Sequence, residues 1–427
     1  MEKREHFRET DFEVMAPAGS YESLQAAIGA GADSVYFGAG ELNMRAHSSA
    51  NFNRQDIARI AETCRNAGVK SYLTLNTILF DNDLAPMRAM VDCAKAAGID
   101  AIIASDPAVL LYAAQQGVAV HLSTQLNITN AEALAFYARY ADVAVLAREV
   151  DLDRVALIHK QIEEQPILGP QGKPVRIEMF AHGALCMAVS GKCYLSLHEL
   201  NRSANRGECG QICRRSYRVW DETSDIELKV ENRNIMSPKD LKTVHFINKL
   251  MDAGVRVFKI EGRARGPEYV HTVVSVYKEA IRAVCDGSYT QERIKEWDER
   301  LATVFNRGFW NGYYLGQRLG EWTPIYGSAA TREKIYVGKI TNYFSKLGVA
   351  EVLLEAGSLA KGDRILITGP TTGLVETDLT EIRLDLAPVE EAPKGSIVSV
   401  PVPERVRSND RLYTFNSRTQ TQQSYLQ

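Results

Sequence analysis

Short apolar runs alternate with helix-patterned segments from residue 13 to residue 262. The runs are EVMAP (13–17), SVYFG (34–38), KSYLTLN (70–76), AIIAS (101–105), AVHLST (119–124), VAVLA (143–147), VRIEMFAHG (175–183) and VFKIEG (257–262). They are rich in β-branched and aromatic residues and end in Gly or polar residues, as buried parallel strands do. Between them, SYESLQAAIGAGA, RQDIARIAETCRNAG, LAPMRAMVDCAKAAG, DPAVLLYAAQQG and NAEALAFYARYA carry apolar residues at spacings of three and four and end near Gly or a polar turn. Ser20 is placed to cap the first helix. Eight strand-like runs in this order predict a TIM-like (β/α)8 barrel over 1–290. An open doubly wound sheet is the alternative, but no G-x-G-x-x-G follows an early strand.

The seventh unit departs from the pattern. After MFAHG comes an insertion over about 184–236, rich in Cys, Arg, Asn and Gly. Loops that follow barrel strands lie on the catalytic face, so an oversized one there is expected to be functional. PKDLKTVHFINKLMDAG (238–254) reads as a helix before the eighth strand. PEYVHTVVSVYKEAIRAVCDG (267–287) reads as the helix after it. Residues 291–330 form a helical and aromatic linker, in which GFWNGYYLGQRLGEWTPIYG (308–327) is an irregular joint. From 331 to 427 short alternating strands indicate a small all-β barrel domain or a sandwich, with a loose polar tail at NSRTQTQQSYLQ.

Length and charge narrow the classes. The chain has 427 residues and can bury a full core without disulfides or metal. Lys plus Arg is 50 and Asp plus Glu is 53, a net charge of −3, so any nucleic-acid contact must come from a local patch. No stretch approaches the ~20 apolar residues of a membrane span. The charged start, MEKREHFRETDFE, lacks the apolar core of a signal peptide, which leads to the expectation of a cytoplasmic chain with reduced thiols.

Four of the seven cysteines fall in the insertion, as Cys186-(x6)-Cys193-(x15)-Cys209-(x3)-Cys213. Four thiolates can build an S4 site for zinc or for an iron–sulfur cluster. The spacing lacks the paired C-x2-C knuckles of zinc ribbons, whereas iron–sulfur sites accept varied spacings. Four separate buried cysteines would be the bland reading, but a polar, Arg-rich loop is a poor place for them. Cys64, Cys93 and Cys285 sit in helical patterns and read as core. Proteolysis finds weak support: His198-Glu199 opens H-E-x-x-H, yet Arg202 stands where the second His belongs, and there is no G-x-S-x-G elbow. A Cys beside His182 or His198 would be the remaining route.

The block MFAHGALCMAVSGKCYLS (179–196), with Glu178, Phe180, His182, Gly183, Cys186, Gly191, Cys193 and Ser196, resembles the signature of the collagenase-like peptidases, family U32. NRGECGQICRRSY (205–217), KIEGR (259–263) and MAPAGSYESLQAAIGAGADSVYFG (15–38) are similar to the same family, and the C-terminal β-region resembles that of its long tRNA-hydroxylation branch. The resemblance implies a TIM-like barrel and a [4Fe–4S] cluster held by Cys186, Cys193, Cys209 and Cys213. It implies formation of 5-hydroxyuridine at the tRNA wobble position, with prephenate as candidate co-substrate and an electron donor as a further partner. A sister branch hydroxylates an rRNA cytidine, and the historic label is peptidase. A cluster protein that only scaffolds its partners is a further alternative.

Two residue groups extend this reading. Arg202, Arg206, Arg214, Arg215 and Arg218, interleaved with Asn201 and Asn205, could bind RNA phosphates, or could pair with Glu199 and Glu208. At the strand ends, Arg148 and Arg263 with Asn76, Gln125 and Glu261 could line a pocket for a small acid such as prephenate. A rim network, Arg148–Glu149 or Arg263–Glu261, is the competing expectation. Phe309, Trp310, Tyr313, Tyr314 and Trp322 could stack bases but read better as interface core.

Overall fold

The structure is a computed structural model that describes residues 7–47, 51–217, 220–221, 223, 226–227, 236–317 and 320–418. The barrel begins with β1 Glu13–Ala18, β2 Ser34–Phe37, β3 Lys70–Leu75, β4 Ala101–Ala104, β5 Val120–Leu122, β6 Val143–Val145 and β7 Arg176–Ala184. A short β8, Asp240–Lys242, runs antiparallel to the end of β7. β9, Val255–Ile260, is the eighth barrel strand: it is parallel to both β7 and β1 and closes the ring. All eight sequence-derived strands are present, each at its expected place.

Alternation explains why the closed form is stable. Val14, Val35, Leu73, Ile102 and Phe258 point outward into the main core beneath the helices. Met15, Tyr36, Tyr72, Ile103, Val143 and Val257 point inward and fill the barrel as a second cluster. The outer ring comprises α1 Tyr21–Gly29, α2 Asp56–Asn66, α3 Leu84–Ala97, α4 Pro107–Gln116, α5 Ala131–Ala138 and α6 Leu152–Glu164. Four of these open on a side-chain cap, at Ser20, Asp106, Asn130 and Asp151, each of which accepts from a backbone N–H of the first turn. Such a cap contributes about 1 kcal/mol and starts the helix directly after its loop.

Past β7 lie α7 Leu195–Leu200 in the insertion, α8 Ile247–Asp252, α9 Pro267–Asp286 and α10 Gln291–Ala302. The helix expected over 238–254 is corrected: its first part is β8, and only its second part is helical. β8 also pairs in parallel with β10, Phe309–Trp310, so the aromatic joint contributes a strand to the barrel's sheet. Trp310 and Tyr314 are buried, and the Tyr314 hydroxyl donates to the Phe180 carbonyl at 2.9 Å. That is packing rather than base stacking.

From Arg332–Phe344 to Arg411–Ser417 an eight-stranded antiparallel sheet wraps its own core of Ile340, Val352, Leu354, Ile365, Ile367 and Leu412. Among the described residues no ladder joins its two end strands. Asn416 and Ser417, expected in the tail, pair with Glu333 and Arg332. The rest of the tail, 419–427, lies outside the described residues, as does Arg218. This sheet packs on the outer helices: a Cβ on Gly373 would lie 2.8 Å from that of Gln25 in α1, and Lys334 pairs with Glu268 in α9 at 2.9 Å. No described helix is long and apolar enough to cross a membrane.

Candidate functional site at the barrel mouth

β7 carries the insertion into place. Its final turn depends on Gly183, at φ +106°, where a Cβ would lie 2.3 Å from the Glu261 carbonyl oxygen. Only glycine allows the end of β7 to lie this close to the chain leaving β9. The loop is then fastened along its length. Arg214 donates to the carbonyls of Leu185 and Pro238, both at 2.7 Å, and to Ser237 Oγ at 3.0 Å. Arg206 donates to the Ile78 carbonyl at 3.0 Å, pairs with Asp83 and lies over the Phe80 ring. The Gly210 N–H donates to Ser196 Oγ at 2.9 Å.

These ties bring Cys186, Cys193, Cys209 and Cys213 to the wall of one cavity of about 220 Å3. None is in a disulfide, and none is hydrogen-bonded to a histidine among the described residues. No three His, Cys, Asp or Glu among the described residues converge closely enough to hold a single ion. Burial pushes the Cys213 thiol up to about 11, against the pull of Arg214, and burial likewise raises Cys193.

The floor of the same cavity is cationic. Asn76, Gln125, Arg148, Glu261 and Arg263, proposed from sequence as acid-binding, all line it, together with Arg45 and Lys259. Arg263 is 6% exposed and donates to Asn43 Oδ1 at 3.0 Å and Thr74 Oγ1 at 3.1 Å, neither of them charged. Burial pushes it down to about 10, with Tyr36 and Glu261 opposing, so it remains a guanidinium. Arg148 stacks on Phe180 at 4.0 Å and donates to the Ala184 carbonyl, while its buried Nε has no partner. Neither expected rim pair forms among the described residues. Glu261 instead pairs with Arg45 at 3.2 Å and accepts from the Tyr36 hydroxyl at 3.2 Å. Burial acts to raise the Glu261 carboxyl, but Arg45, Arg148, Arg263 and Lys259 outweigh it and hold it below the usual range.

Beneath the floor lies a buried ion pair that sequence reasoning missed. Lys259 Nζ is 2.7 Å from Glu178 Oε1, with side chains 7% and 0% exposed, and His121 Nδ1 stands 3.7 Å from Glu178 Oε2. The signal was there: a Glu, a Lys and a His at inward positions of otherwise apolar strands.

Of the proposed phosphate ligands, Arg206 and Arg214 are taken up by the internal partners above, which corrects that expectation for both. Arg202 and Arg215 are exposed. The histidines offered for proteolysis are poorly placed. His182 is buried among Tyr269, Tyr277 and Phe309, and burial pushes it down to about 3, with Lys242 adding to the effect. His198 is exposed.

Comparison with known proteins locates this architecture. The sequence profile described as peptidase family U32 matches residues 19–324. A Porphyromonas gingivalis (strain W83) protein named collagenase is 67% identical over 96% of this chain and 99% of its own. A Bacillus subtilis (strain 168) tRNA hydroxylation protein P1 is 32% identical over 84% of this chain and 83% of its own. An Escherichia coli (strain K12) 23S rRNA 5-hydroxycytidine synthase is 36% identical over 64% of this chain and 40% of its own.

Proposed function

The chain belongs to peptidase family U32, and from that premise we propose that it hydroxylates the wobble uridine of tRNA to 5-hydroxyuridine. The observation that carries this reading is one cavity with four thiols on its wall and Arg45, Arg148 and the buried Arg263 on its floor. The thiols suit a [4Fe–4S] cluster held by Cys186, Cys193, Cys209 and Cys213. A single zinc needs four sulfurs about 2.3 Å from one point, and the thiols are not so tightly convergent. A polynuclear core takes ligands set wider apart. Bound there, a cluster supplies one-electron redox chemistry.

The protein's own groups do the rest. Arg263 and Arg148 hold the carboxylates of a small acid such as prephenate, Arg263 through N–H groups left over from its two neutral partners. Glu261 fixes Arg45 and balances part of the floor's charge. Asn76 and Gln125 hydrogen-bond whatever lies above the floor. Glu178 and His121 hold Lys259 in position under it.

A second reading is peptidase activity, favoured by the 67% identical relative named collagenase. The rRNA cytidine reading is favoured by the Escherichia coli relative. Nucleoside mass spectrometry of tRNA and rRNA from a strain lacking this gene separates them. Loss of 5-hydroxyuridine derivatives from tRNA is the expected outcome. An unchanged tRNA profile with lost 5-hydroxycytidine selects the rRNA substrate. No change in either, with gelatin cleavage by purified protein that survives iron removal, selects the peptidase.

A further inference from the structure

A second cavity, of about 240 Å3, adjoins the cationic one at the rim of the mouth. The two share Asn76, Gln125 and Cys193, so they are neighbouring chambers of one site. Their chemistry differs. The second has no Asp, Glu or Arg on its described wall, and Lys192 is its sole charged group. Its wall combines amides and hydroxyls with the apolar or aromatic side chains of Met44, Ile78, Tyr194 and Leu197. Tyr194 is 75% exposed, and among the described residues its ring meets no other ring and its hydroxyl has no partner. An aromatic ring held this far out of the core offers a free stacking face.

The amides have a defined polarity. Gln125 Oε1 accepts from Asn76 Nδ2 and from Ser123 Oγ. Asn205 Oδ1 accepts from Ser203 Oγ at 2.5 Å. Both acceptor sites of Gln125 Oε1 are therefore engaged, and one of the two on Asn205 Oδ1. The N–H groups of Gln125 and Asn205 have no hydrogen-bond partner among the described residues. A chamber that offers amide donors beside an aromatic face suits a flat, neutral ligand with more than one carbonyl. Uracil carries two ring carbonyls and cytosine one.

We propose, building on the RNA-hydroxylation reading, that this chamber receives a single everted uracil. Tyr194 stacks on the base, and the N–H groups of Gln125 and Asn205 donate to its carbonyls. The acid lies in the adjoining cationic chamber, across the wall formed by Asn76, Gln125 and Cys193. Enzymes that modify a base inside folded RNA need such a pocket, because the target atom is shielded while the base is stacked. Lys192 on the chamber wall and Arg202, which precedes the wall residue Ser203 in the chain, are exposed and without an ion pair among the described residues, and could meet the backbone phosphates.

The test uses holo-protein and three short RNA stem-loops that differ at one unpaired loop position: uridine, cytidine or an abasic site. Fluorescence anisotropy gives each affinity, and iron content with visible absorption verifies that every variant keeps its metal. Wild type should bind the uridine loop roughly tenfold tighter than the abasic loop, the scale of one stacked base. Tyr194→Ala should erase that difference and leave abasic binding unchanged, and Tyr194→Phe should keep it. Asn205→Asp, which removes the donor without changing shape, should abolish the preference for uridine over cytidine. If wild type discriminates but Tyr194→Ala still does, the base lies elsewhere, and only the chamber assignment falls. If wild type binds none of the three RNAs, the RNA reading falls and this inference with it.

Discussion

Lys259 and Glu178 form an ion pair whose burial is costly to the fold. An ammonium and a carboxylate 2.7 Å apart inside the barrel lose nearly all their hydration, and their attraction must offset that loss. Burial acts to raise the Glu178 carboxyl, while Lys259 and His121 hold it below the usual range. Removing one partner should therefore cost more than removing both. Glu178→Gln is expected to destabilise the protein by about 3–5 kcal/mol, because Lys259 is left charged and unpaired. Glu178→Gln with Lys259→Met should recover most of that loss. Urea unfolding of the two variants and Lys259→Met alone checks it, and additive losses would refute the coupling. The charges themselves are visible in the runs VRIEMFAHG and VFKIEG. Their pairing is not, since the partners are 81 residues apart and only the closure of β9 onto β7 brings them together.

At the scale of elements, β7 decides whether the cysteine loop sits over the floor. The strand pairs with β6 and β9 along its length and with β8 at its end, and Gly183 permits the last step. Gly183→Ala places a methyl 2.3 Å from the Glu261 carbonyl and forces a non-glycine residue to φ +106°. A strained backbone of this kind costs about 1–3 kcal/mol. On the cluster and acid-site reading proposed above, the variant should keep its far-UV circular dichroism, lose iron on anaerobic purification and bind the small acid less well, because Glu261 is displaced with the loop. Full iron content in Gly183→Ala would show that the turn does not position the thiols. Element identity was legible wherever one periodicity governed a whole run, as in the eight barrel strands. It failed over 238–254, where Leu241, Val244, Ile247, Leu250 and Met251 are all buried at helix-like spacing. That spacing suits a helix throughout, yet the end of β7 recruits the first residues into a ladder, and pairing overrides the local period. The cysteine spacing raised the expectation of a metal site, but it carried no sign that the four thiols and the cationic strand ends share one cavity.

Over the whole molecule the fold separates charges that the composition averages away. A net charge of −3 gives no hint of a cationic mouth. The mouth nonetheless collects Arg45, Arg148, Lys259 and Arg263 around one carboxylate, Glu261. The C-terminal sheet pairs its own surface charges, for example Arg364 with Glu376 and Lys339 with Glu355. On the RNA reading proposed above, affinity for RNA should be strongly salt-dependent in spite of the acidic total. Each phosphate neutralised on a single strand contributes a slope of about −0.7 in log affinity against log salt. Lys192, Arg202 and Arg215 are exposed and have no ion pair among the described residues, which gives a slope near −2 for three such contacts. Lys192→Ala with Arg202→Ala should flatten it by about 1.4, because two contacts are removed. Arg206→Ala should leave the slope unchanged while lowering stability, since its guanidinium holds Asp83 and the Ile78 carbonyl rather than solvent ions. The contrast between these variants distinguishes phosphate contact from loop anchoring. An unchanged slope in the double variant would mean that the strand passes elsewhere over the barrel.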